Sequence, residues 1–218
     1  RQGRTKDGMD ETEQGLLKMV DMSGKGDFCK NFEELNIVPM SISYEYEPCA
    51  IEKAEEILIS RTTKYVKAPG EDIQSIMTGI SQPKGQVHLS IGIPLSHEEI
   101  FAASLCNRTN DRYQWIRQTV NIRIAQGYKL FKTNFMAYDM LFRTKKFADN
   151  YTAEDVEKFN AYLTETLAKA RHKELDKKDL REILLGIYAN PILNKESRLL
   201  NEFRPIAVDY IEQEHEKE

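Results

Sequence analysis

From about Ser96 onwards the chain contains very little proline or glycine, and this constrains its fold more than any other feature of the sequence. Apolar residues recur there at helical spacing almost to the last residue. Ser96, followed by the acidic residues of HEEI, is typical of a helix N-cap, and Thr152 in TAED is typical of a capping box. Further helices are predicted over residues 110–131, 152–173 and 177–188, and again after Pro191. Residues 96–218 are therefore predicted to be an all-helical region.

The first 95 residues alternate strand-like and helix-like segments, each bounded by Gly or Pro. Runs rich in β-branched and aromatic residues predict buried strands, and helical spacing of apolar residues predicts helices between them. The strands are predicted at residues 36–46 and 86–93, and the helices at residues 48–61 and 71–80. This order predicts an α/β fold, in which a partial, mixed and partly parallel sheet with flanking helices is followed by the helical region. Residues 1–95 and 96–218 are accordingly predicted to be separate domains.

The charge balance argues against a protein whose main task is to grip a nucleic-acid backbone. The net charge is −4, so there is no global basic field and any anion site must be local. No apolar run approaches the roughly 20 residues of a membrane-spanning helix, although the chain can still sit on a membrane surface. The three cysteines lie far apart without a C-x-x-C pair, which predicts free thiols in a reducing cytosol.

None of the four histidines stands at a spacing from Ser, Cys or Asp that indicates a nucleophile or a metal site. His88 lies in the second predicted strand, where it alternates with Val87 and Leu89, and both of these neighbours are predicted to be buried. His97, at a helix start, and His172, in a charged run, are predicted to face solvent. The sequence therefore offers no self-contained catalytic group.

A basic loop that contains glycine, RQGRTKDG, occupies residues 1–8. Gly3 and Gly8 let backbone N–H groups approach an anion closely, and the guanidinium of Arg4 offers a bidentate fork that fits a phosphate. The loop predicts a site for a phosphorylated ligand, with an ordinary surface loop as the alternative. Aromatic and basic residues are interleaved over residues 113–142, which predicts a helix hairpin with inward aromatics or a surface for nucleic acid or an anionic membrane.

Three segments, taken in order, resemble the glycerol-phosphate and lysophosphatidate acyltransferase superfamily. The segments are QGRTKDG at residues 2–8, NIVPMSISYEYEP at residues 36–48 and GQVHLSIGIPL at residues 85–95. The residues that fit the family's blocks are Gly3, Arg4, Thr5, Lys6 and Gly8, then Ile37, Val38, Pro39, Tyr44 and Glu45, and then Gly85, Val87, Gly92 and Pro94. The resemblance covers residues 1–95, the C-terminal half of such an α/β domain. GYKLFKTNFMAYDML and YANPILN look like the helical extension of large bacterial members.

The resemblance implies transfer of a fatty acyl group, in phospholipid synthesis, from a thioester of coenzyme A or acyl carrier protein to a glycerol-phosphate or lysophosphatidate-type acceptor. It implies that Arg4 holds the acceptor phosphate, that Arg1, Gly3 and Lys6 assist, and that Pro39 and its strand form the floor of the cleft. No metal or organic cofactor is implied beyond the acyl thioester. The implied partners are a phosphate-bearing lipid precursor, the thioester and a membrane surface on the cytoplasmic side, without nucleic acid. A half-sheet leaves an exposed edge and an apolar face, which a partner or a second copy in a dimer would cover.

Two features of that family are missing from the sequence. The first is the catalytic signature, a His followed after four residues by an Asp, in which the His deprotonates the acceptor hydroxyl and the Asp orients it. The fifth residue after His88 is Ile93, and the fifth after His97 is Ala102. The second is the acidic residue of the phosphate block, since its place is taken by Arg1 or Gln2.

These absences predict that residues 1–218 are the C-terminal part of a longer enzyme and are inactive alone. The N-terminal half would have been removed or lost by proteolysis, or the chain is a short paralogue that kept only the acceptor side. Two rivals from other classes stay open. One is a non-catalytic module whose helices, from about residue 96 to residue 210, dock a partner protein, and the other is a binder of RNA or nucleotide phosphate.

Overall fold

Helices dominate the computed structural model, which describes residues 6–200 and is 62% helical. The elements are α1 (Gln14–Ser23), α2 (Phe28–Leu35), β1 (Met40–Tyr44), α3 (Ala50–Ser60), α4 (Glu71–Ser81), β2 (Val87–Ile91), α5 (His97–Ser104), α6 (Thr109–Gly127), α7 (Lys132–Phe142), a short 3-10 helix (Ala148–Asn150), α8 (Ala153–Ala168) and α9 (Lys177–Leu200). The mixed composition agrees with the prediction, but the described part of the fold is mainly helical.

The sheet is antiparallel because the chain returns to the end of β1 before β2 begins. The paired residues are Met40 and Ile91, Ser41 and Ser90, Ile42 and Leu89, Ser43 and His88, and Tyr44 and Val87. Just beyond the last pair, the Glu45 N–H donates to the Gln86 carbonyl over 2.9 Å, and the Glu45 carboxylate accepts from the Gln86 N–H. The prediction of two strands is confirmed. The prediction of a partly parallel sheet is wrong for the described residues.

The sheet buries the two serines of β1 and exposes its apolar side chains. Ser41 and Ser43 are buried against α6. The apolar residues of the other face, here called the apolar sheet face, are 49–67% exposed and comprise Met40, Ile42, Val87, Leu89 and Ile91. Serine suits the buried side because a Cβ at Gly127 would lie only 2.9 Å from the Ser41 Oγ, and because the Ser43 Oγ accepts from the Lys129 N–H over 3.0 Å. The prediction that His88 has buried apolar neighbours is therefore wrong.

Two apolar cores hold the helices together. The first core lies between α3, α7, α8 and α9, and its most buried members include Ala54, Ala137, Phe159, Leu163 and Leu184. The second core lies between α1, α2, α5 and α6, and its most buried members include Phe32, Ile100, Ala103 and Ile116. Each core takes residues from both sides of residue 95. The predicted helical extension therefore packs directly on the first half of the chain, and its separation as a domain stays a prediction.

Local capping places two helix starts where the sequence predicts them. Ser96 accepts a hydrogen bond from the Glu99 N–H at the start of α5, and the Glu99 carboxylate accepts from the Ser96 N–H over 2.8 Å. Thr152 and Asp155 make the same reciprocal pair at the start of α8. Each pair satisfies backbone donors that the helix itself leaves without partners, and both N-cap predictions are confirmed.

The aromatic residues of 113–142 belong to α6, α7 and the turn between them. Tyr113 and Phe131 are buried, while Tyr138 is half-buried and packs against Phe142 and Phe147 with ring centroids 4.6 and 5.0 Å away. These contacts confirm the prediction that the aromatics of this segment pack mainly inward.

α9 passes through Pro191 without a break, although the sequence predicts one helix that ends before Pro191 and another that begins after it. Proline has no N–H for the Ile187 carbonyl one turn earlier, and an interior proline costs a helix about 3 kcal/mol. Both flanks of Pro191 are nevertheless anchored, because Ile187 and Ile192 are buried. Burial of one such side chain contributes about 1.5–3 kcal/mol. Packing on both sides therefore outweighs the missing hydrogen bond.

α4 makes no close packing contact with another described helix or strand. It contacts loop residues instead: the Cys49 thiol lies 3.5 Å from the Ser75 carbonyl oxygen, and the Tyr65 hydroxyl donates to the Glu71 carboxylate over 2.7 Å. Its apolar side chains form one stripe, here called the α4 stripe, that is 58–71% exposed and consists of Ile73, Ile76, Met77 and Ile80. None of the helices within residues 6–200 is both long and apolar enough to cross a membrane.

Candidate functional site

A cleft opens between β1, the end of α6, the middle of α9 and the loop of residues 7–12. It consists of two adjoining cavities, a first cavity of about 340 Å³ and a second cavity of about 260 Å³. The residues that line both are Gly8, Asp10, Ile42, Tyr128 and Pro191. The cleft thus brings together three segments that the sequence analysis identifies. They are the end of the basic loop, the strand that follows Val38 and Pro39, and YANPILN at residues 188–194.

The loop of residues 7–12 is fastened to α9 by two asparagines one helical turn apart. The side-chain amide of Asn190 donates to the Asp7 carbonyl over 2.7 Å, and that of Asn194 donates to the Asp10 carbonyl over 3.0 Å. Side chains four residues apart share one face of a helix, so both amides reach the same stretch of backbone. The helix therefore sets the path of the loop over the cleft.

Gly8 sits at the closest approach between the loop and α9. Its φ is +83°, in the left-handed region that favours glycine. A Cβ at this position would lie 2.7 Å from the Ile187 carbonyl oxygen and 2.9 Å from the ring of Pro191. The loop therefore meets the helix at the carbonyl that Pro191 leaves without its usual donor, and only glycine fits there.

A charged pair and a buried tyrosine form the polar wall of the first cavity. Glu47 and Lys53 approach to 3.1 Å, and less than a fifth of each side chain is exposed. The Tyr188 hydroxyl accepts from the Glu47 N–H over 2.9 Å and lies 2.7 Å from the Tyr162 hydroxyl. The Asn134 amide donates to the Tyr188 carbonyl over 2.8 Å. These contacts join the segment after β1 to α7, α8 and α9, and they hold the wall in place.

Burial raises the pKa of Tyr128 and Tyr188, two of the three tyrosines that line the first cavity. For Tyr188 burial is the main cause, and the neighbouring Tyr162 raises the pKa further. For Tyr128 burial is again the main cause, followed by the negative charge of Asp10. Burial disfavours the charged form of a phenol, so both hydroxyls stay protonated far above neutral pH. They can position a ligand by hydrogen bonds, and they do not act as bases.

Two residues that line the second cavity each carry a buried polar atom that makes no hydrogen bond within residues 6–200, the Oγ of Ser41 and the Nδ2 of Asn121. The other amide atom of Asn121, Oδ1, accepts from the Thr12 N–H over 2.9 Å. Lys195 lines the same cavity and donates to two backbone carbonyls at the end of α6 over 3.2 and 2.6 Å. The second cavity therefore presents hydrogen-bond donors.

Of the residues predicted to hold a phosphate, Arg1, Gly3 and Arg4 lie outside the described residues. Lys6 is described, and its ammonium forms an ion pair with Glu56 on α3. Lys6 lines neither cavity, so the structure places it beside the cleft with its charge balanced by a carboxylate. Its predicted role in binding an acceptor stays a prediction.

Pro39 is buried directly before β1, and its role is seen in the pairing of the strands. Its carbonyl accepts from the Gly92 N–H over 2.9 Å, and a Cβ at Gly92 would lie 2.8 Å from the same oxygen. Gly85 has the same close relationship to Glu45 at the other end of the sheet, where a Cβ would lie 2.6 Å from the carboxylate. The cleft is lined by the strand that follows Pro39, and Pro39 itself lines neither cavity.

No histidine lines either cavity. His97 faces solvent, as predicted, with its ring 2.6 Å from Glu33, and the partly exposed ring of His172 lies 3.1 Å from Glu174. In the part of the chain that the structure describes, no group of three or more His, Cys, Asp or Glu residues is placed to hold a metal ion. The side chains that line the cleft are suited to binding and positioning, and they include no imidazole base beside a nucleophile.

Sequence reasoning does not find Asn121, Lys195 or Tyr188. Each lies in a helix where the residue pattern indicates only core or surface, and its role depends on contacts with residues far away in the sequence. A usable signal exists only in YANPILN, where Asn190 and Asn194 stand four residues apart beside a proline. Such a pair indicates a helix face that binds backbone.

Comparison with known proteins adds no family assignment. No protein-family model matches the chain, and no curated protein sequence and no solved structure is significantly similar to it. The cleft and the sequence blocks that meet in it are therefore the features that point to a function.

Proposed function

We propose that this chain is the acceptor-binding part of an acyltransferase of phospholipid synthesis. The complete enzyme moves a fatty acyl group from a coenzyme A or acyl carrier protein thioester to the hydroxyl of a glycerol-phosphate or lysophosphatidate-type acceptor. Arg4 binds the acceptor phosphate, with help from the neighbouring Arg1, Gly3 and Lys6. The reaction takes place against a membrane surface that supplies the lipid precursor.

One observation carries this proposal: the segment that follows Arg4 and the strand that follows Pro39 line the same cleft. Asn190 and Asn194 fix the path of the loop of residues 7–12. Gly8 lines the same two cavities as Ile42 of β1. Two blocks that are about 30 residues apart in the sequence are thus adjacent at one cleft, which is where an acceptor site built from both blocks has to lie.

The apolar sheet face supports the idea that another segment completes the domain. Its five apolar side chains are each about half exposed or more, while Ser41 and Ser43 of the other face are buried. A contiguous exposed apolar surface is typical of a contact that another chain or segment covers. A half-domain that carries the His and Asp of the family signature is the proposed cover.

A binding experiment tests the acceptor site directly. Calorimetric titration of residues 1–218 with sn-glycerol 3-phosphate is expected to show saturable binding, and Arg4→Ala is expected to weaken it about 10–100-fold, because a hydrogen bond to a charged group contributes about 1.5–3 kcal/mol. Arg4→Lys should recover only part of the affinity, since lysine lacks the bidentate fork. Arg61→Ala, which removes an exposed arginine in another loop, is the matched control.

An activity measurement tests whether this chain lacks the catalytic His and Asp of the family, here called the dyad. Residues 1–218 alone are expected to release no coenzyme A from a long-chain acyl-CoA in the presence of the acceptor, because the histidine base is missing. Turnover by this chain would overturn the dyad argument. Equal binding of glycerol 3-phosphate by the parent chain and Arg4→Ala would overturn the acceptor site.

The α4 stripe favours a second candidate function, a non-catalytic module that docks a partner protein. The stripe is exposed along the whole helix, and α4 packs on no other described element. Binding of a defined partner through this stripe would be lost in the double variant Ile76→Asp, Met77→Asp and would be unchanged in Arg4→Ala. If the chain instead has an acyltransferase acceptor site, Arg4→Ala should weaken binding of glycerol 3-phosphate and the double variant should leave it unchanged.

A further inference from the structure

The second cavity contains more hydrogen-bonding capacity than the described protein uses. Ser41 and Asn121 are only 6% and 5% exposed, and the Ser41 Oγ and Asn121 Nδ2 have no partner within residues 6–200. Buried polar groups are nearly always hydrogen-bonded, since leaving one unpaired costs free energy. Two such atoms on residues that line one cavity are a reason to look for a ligand that they recognise.

The orientation of the Asn121 amide defines what the cavity offers. Because Oδ1 accepts from the Thr12 N–H, the remaining Asn121 group is the NH₂, which can only donate. The Lys195 ammonium is also donor-only, and two backbone carbonyls engage two of its three N–H groups. The Ser41 hydroxyl can donate as well. All three groups therefore favour a ligand that accepts hydrogen bonds.

The charges around the second cavity favour a negative ligand. Glu11 lines the cavity but is paired with Arg117 at 2.5 Å and with Arg198 at 3.2 Å. Asp10 lies at the exposed rim, where solvent and salt screen its charge. Lys195 adds a cation that is partly withdrawn from water, and this burial lowers its pKa. A bound anion would restore the solvation that the ammonium loses.

We propose that the second cavity is a binding site for a small oxyanion, a carboxylate or a phosphate, held by the Asn121 Nδ2, the Ser41 Oγ and the Lys195 Nζ. Its volume of about 260 Å³ accommodates such a group together with a short carbon substituent. The second cavity belongs to the cleft proposed for the acceptor and shares Gly8 with the predicted phosphate block, but its three donors lie outside that block and their binding of an anion does not depend on acyl transfer.

The test uses the full chain with the Arg4→Ala substitution, so that binding at the predicted acceptor site is not counted. The side-chain amide resonances of Asn121 are followed by NMR during titration with inorganic phosphate and, separately, with acetate. A saturable shift at millimolar concentrations, accompanied by a rise in the pKa of Lys195, is the expected result. A response to phosphate alone or to acetate alone identifies which oxyanion the site takes.

Asn121→Asp keeps the acceptor for Thr12 and replaces the NH₂ with a second oxygen, so it is expected to weaken binding at least tenfold. Ser41→Ala removes a hydroxyl that has no protein partner, and it should fold normally and weaken binding several-fold. Ser43→Ala, two residues along the same strand, is the matched control and should leave the affinity unchanged. Absence of a saturable shift would overturn the proposal, as would equal affinity in Ser41→Ala and the parent chain.

Discussion

The side chain of Asn190 donates to the backbone carbonyl of Asp7 across 2.7 Å, and so ties α9 to a loop 183 residues earlier in the chain. This contact connects the segment just after the basic loop to the part of α9 that carries Pro191. Together with Asn194, it determines how the loop of residues 7–12 closes the cleft. The order of this loop therefore depends on a helix far away in the sequence.

Asn190→Asp is expected to loosen that loop. The change replaces the donor with a negative oxygen facing the Asp7 carbonyl, and loss of one such hydrogen bond costs about 0.5–1.5 kcal/mol. Hydrogen exchange of residues 7–12 should accelerate while that of the first core is nearly unchanged. Asn150→Asp, which alters an exposed amide that donates locally to the Phe147 carbonyl, is the control and should leave that exchange unaffected.

Alanine substitutions at three glycines distinguish the cost of backbone strain from the cost of a steric clash. Gly8 has both a positive φ and atoms within 3 Å of an added Cβ, Gly70 has only the positive φ, and Gly186 lies in α9 with nothing closer than 4.0 Å. Alanine at Gly70 is expected to cost about 1 kcal/mol from left-handed strain, and alanine at Gly8 more than that. Alanine at Gly186 should stabilise the protein by about 0.5–1 kcal/mol. Urea unfolding of the three variants measures the order, and equal effects at Gly8 and Gly70 would contradict the close approach.

The buried carboxylate of Asp139 makes stability depend on pH in the acid range. Burial raises its pKa, but hydrogen bonds from the Thr144 and Tyr151 hydroxyls and from the Phe147 N–H outweigh this and hold the pKa below its ordinary value of 3.8. Because the folded state has the lower pKa, the carboxylate stabilises it above pH 3.8, and this stability is lost as the pH falls through the folded-state pKa.

Asp139→Asn should therefore flatten the fall in unfolding free energy between about pH 4 and about pH 2. It should also cost about 1–3 kcal/mol near neutral pH, because an amide cannot accept from all three donors. Urea unfolding across that range is the measurement. Asp149→Asn, at an exposed position in the adjacent 3-10 helix, should keep the slope of the parent chain, and a parallel slope in both variants would rule out this role for Asp139.

In most sheets, replacing an apolar residue costs more stability than replacing a serine. In this sheet we expect the reverse. Leu89→Thr, on the apolar sheet face, should change the unfolding free energy by less than about 0.5 kcal/mol and reduce self-association in light scattering. Ser43→Val, on the buried face, should destabilise the protein by about 1–3 kcal/mol, because it overpacks the contact with α6 and leaves the Lys129 N–H unpaired. A larger loss for Leu89→Thr would mean that the apolar sheet face is covered in solution.

Local chemistry was sufficient to predict most elements but not how they meet. Ser96 with Glu99 defines a helix start within four residues, and the sequence alone predicts it. The pairing of the strands depends on Gly85 and Gly92 packing on the two ends of β1, a relationship that residue patterns do not contain. The same holds for Ser41, since an apolar strand is assumed to bury its apolar side, whereas here the helix backbone at α6 comes too close for any side chain larger than serine.

α9 completes the first core, because Leu180, Leu184 and Ile187 fill the space between α3, α7 and α8. During translation the second core can close as soon as α6 has left the ribosome, whereas α3 meets its packing partners α8 and α9 only when these last two helices emerge. At roughly 5–20 residues per second, that interval is on the order of ten seconds. A nascent chain of this protein therefore exposes α3 to chaperones and to misassembly long after α3 itself has been synthesised.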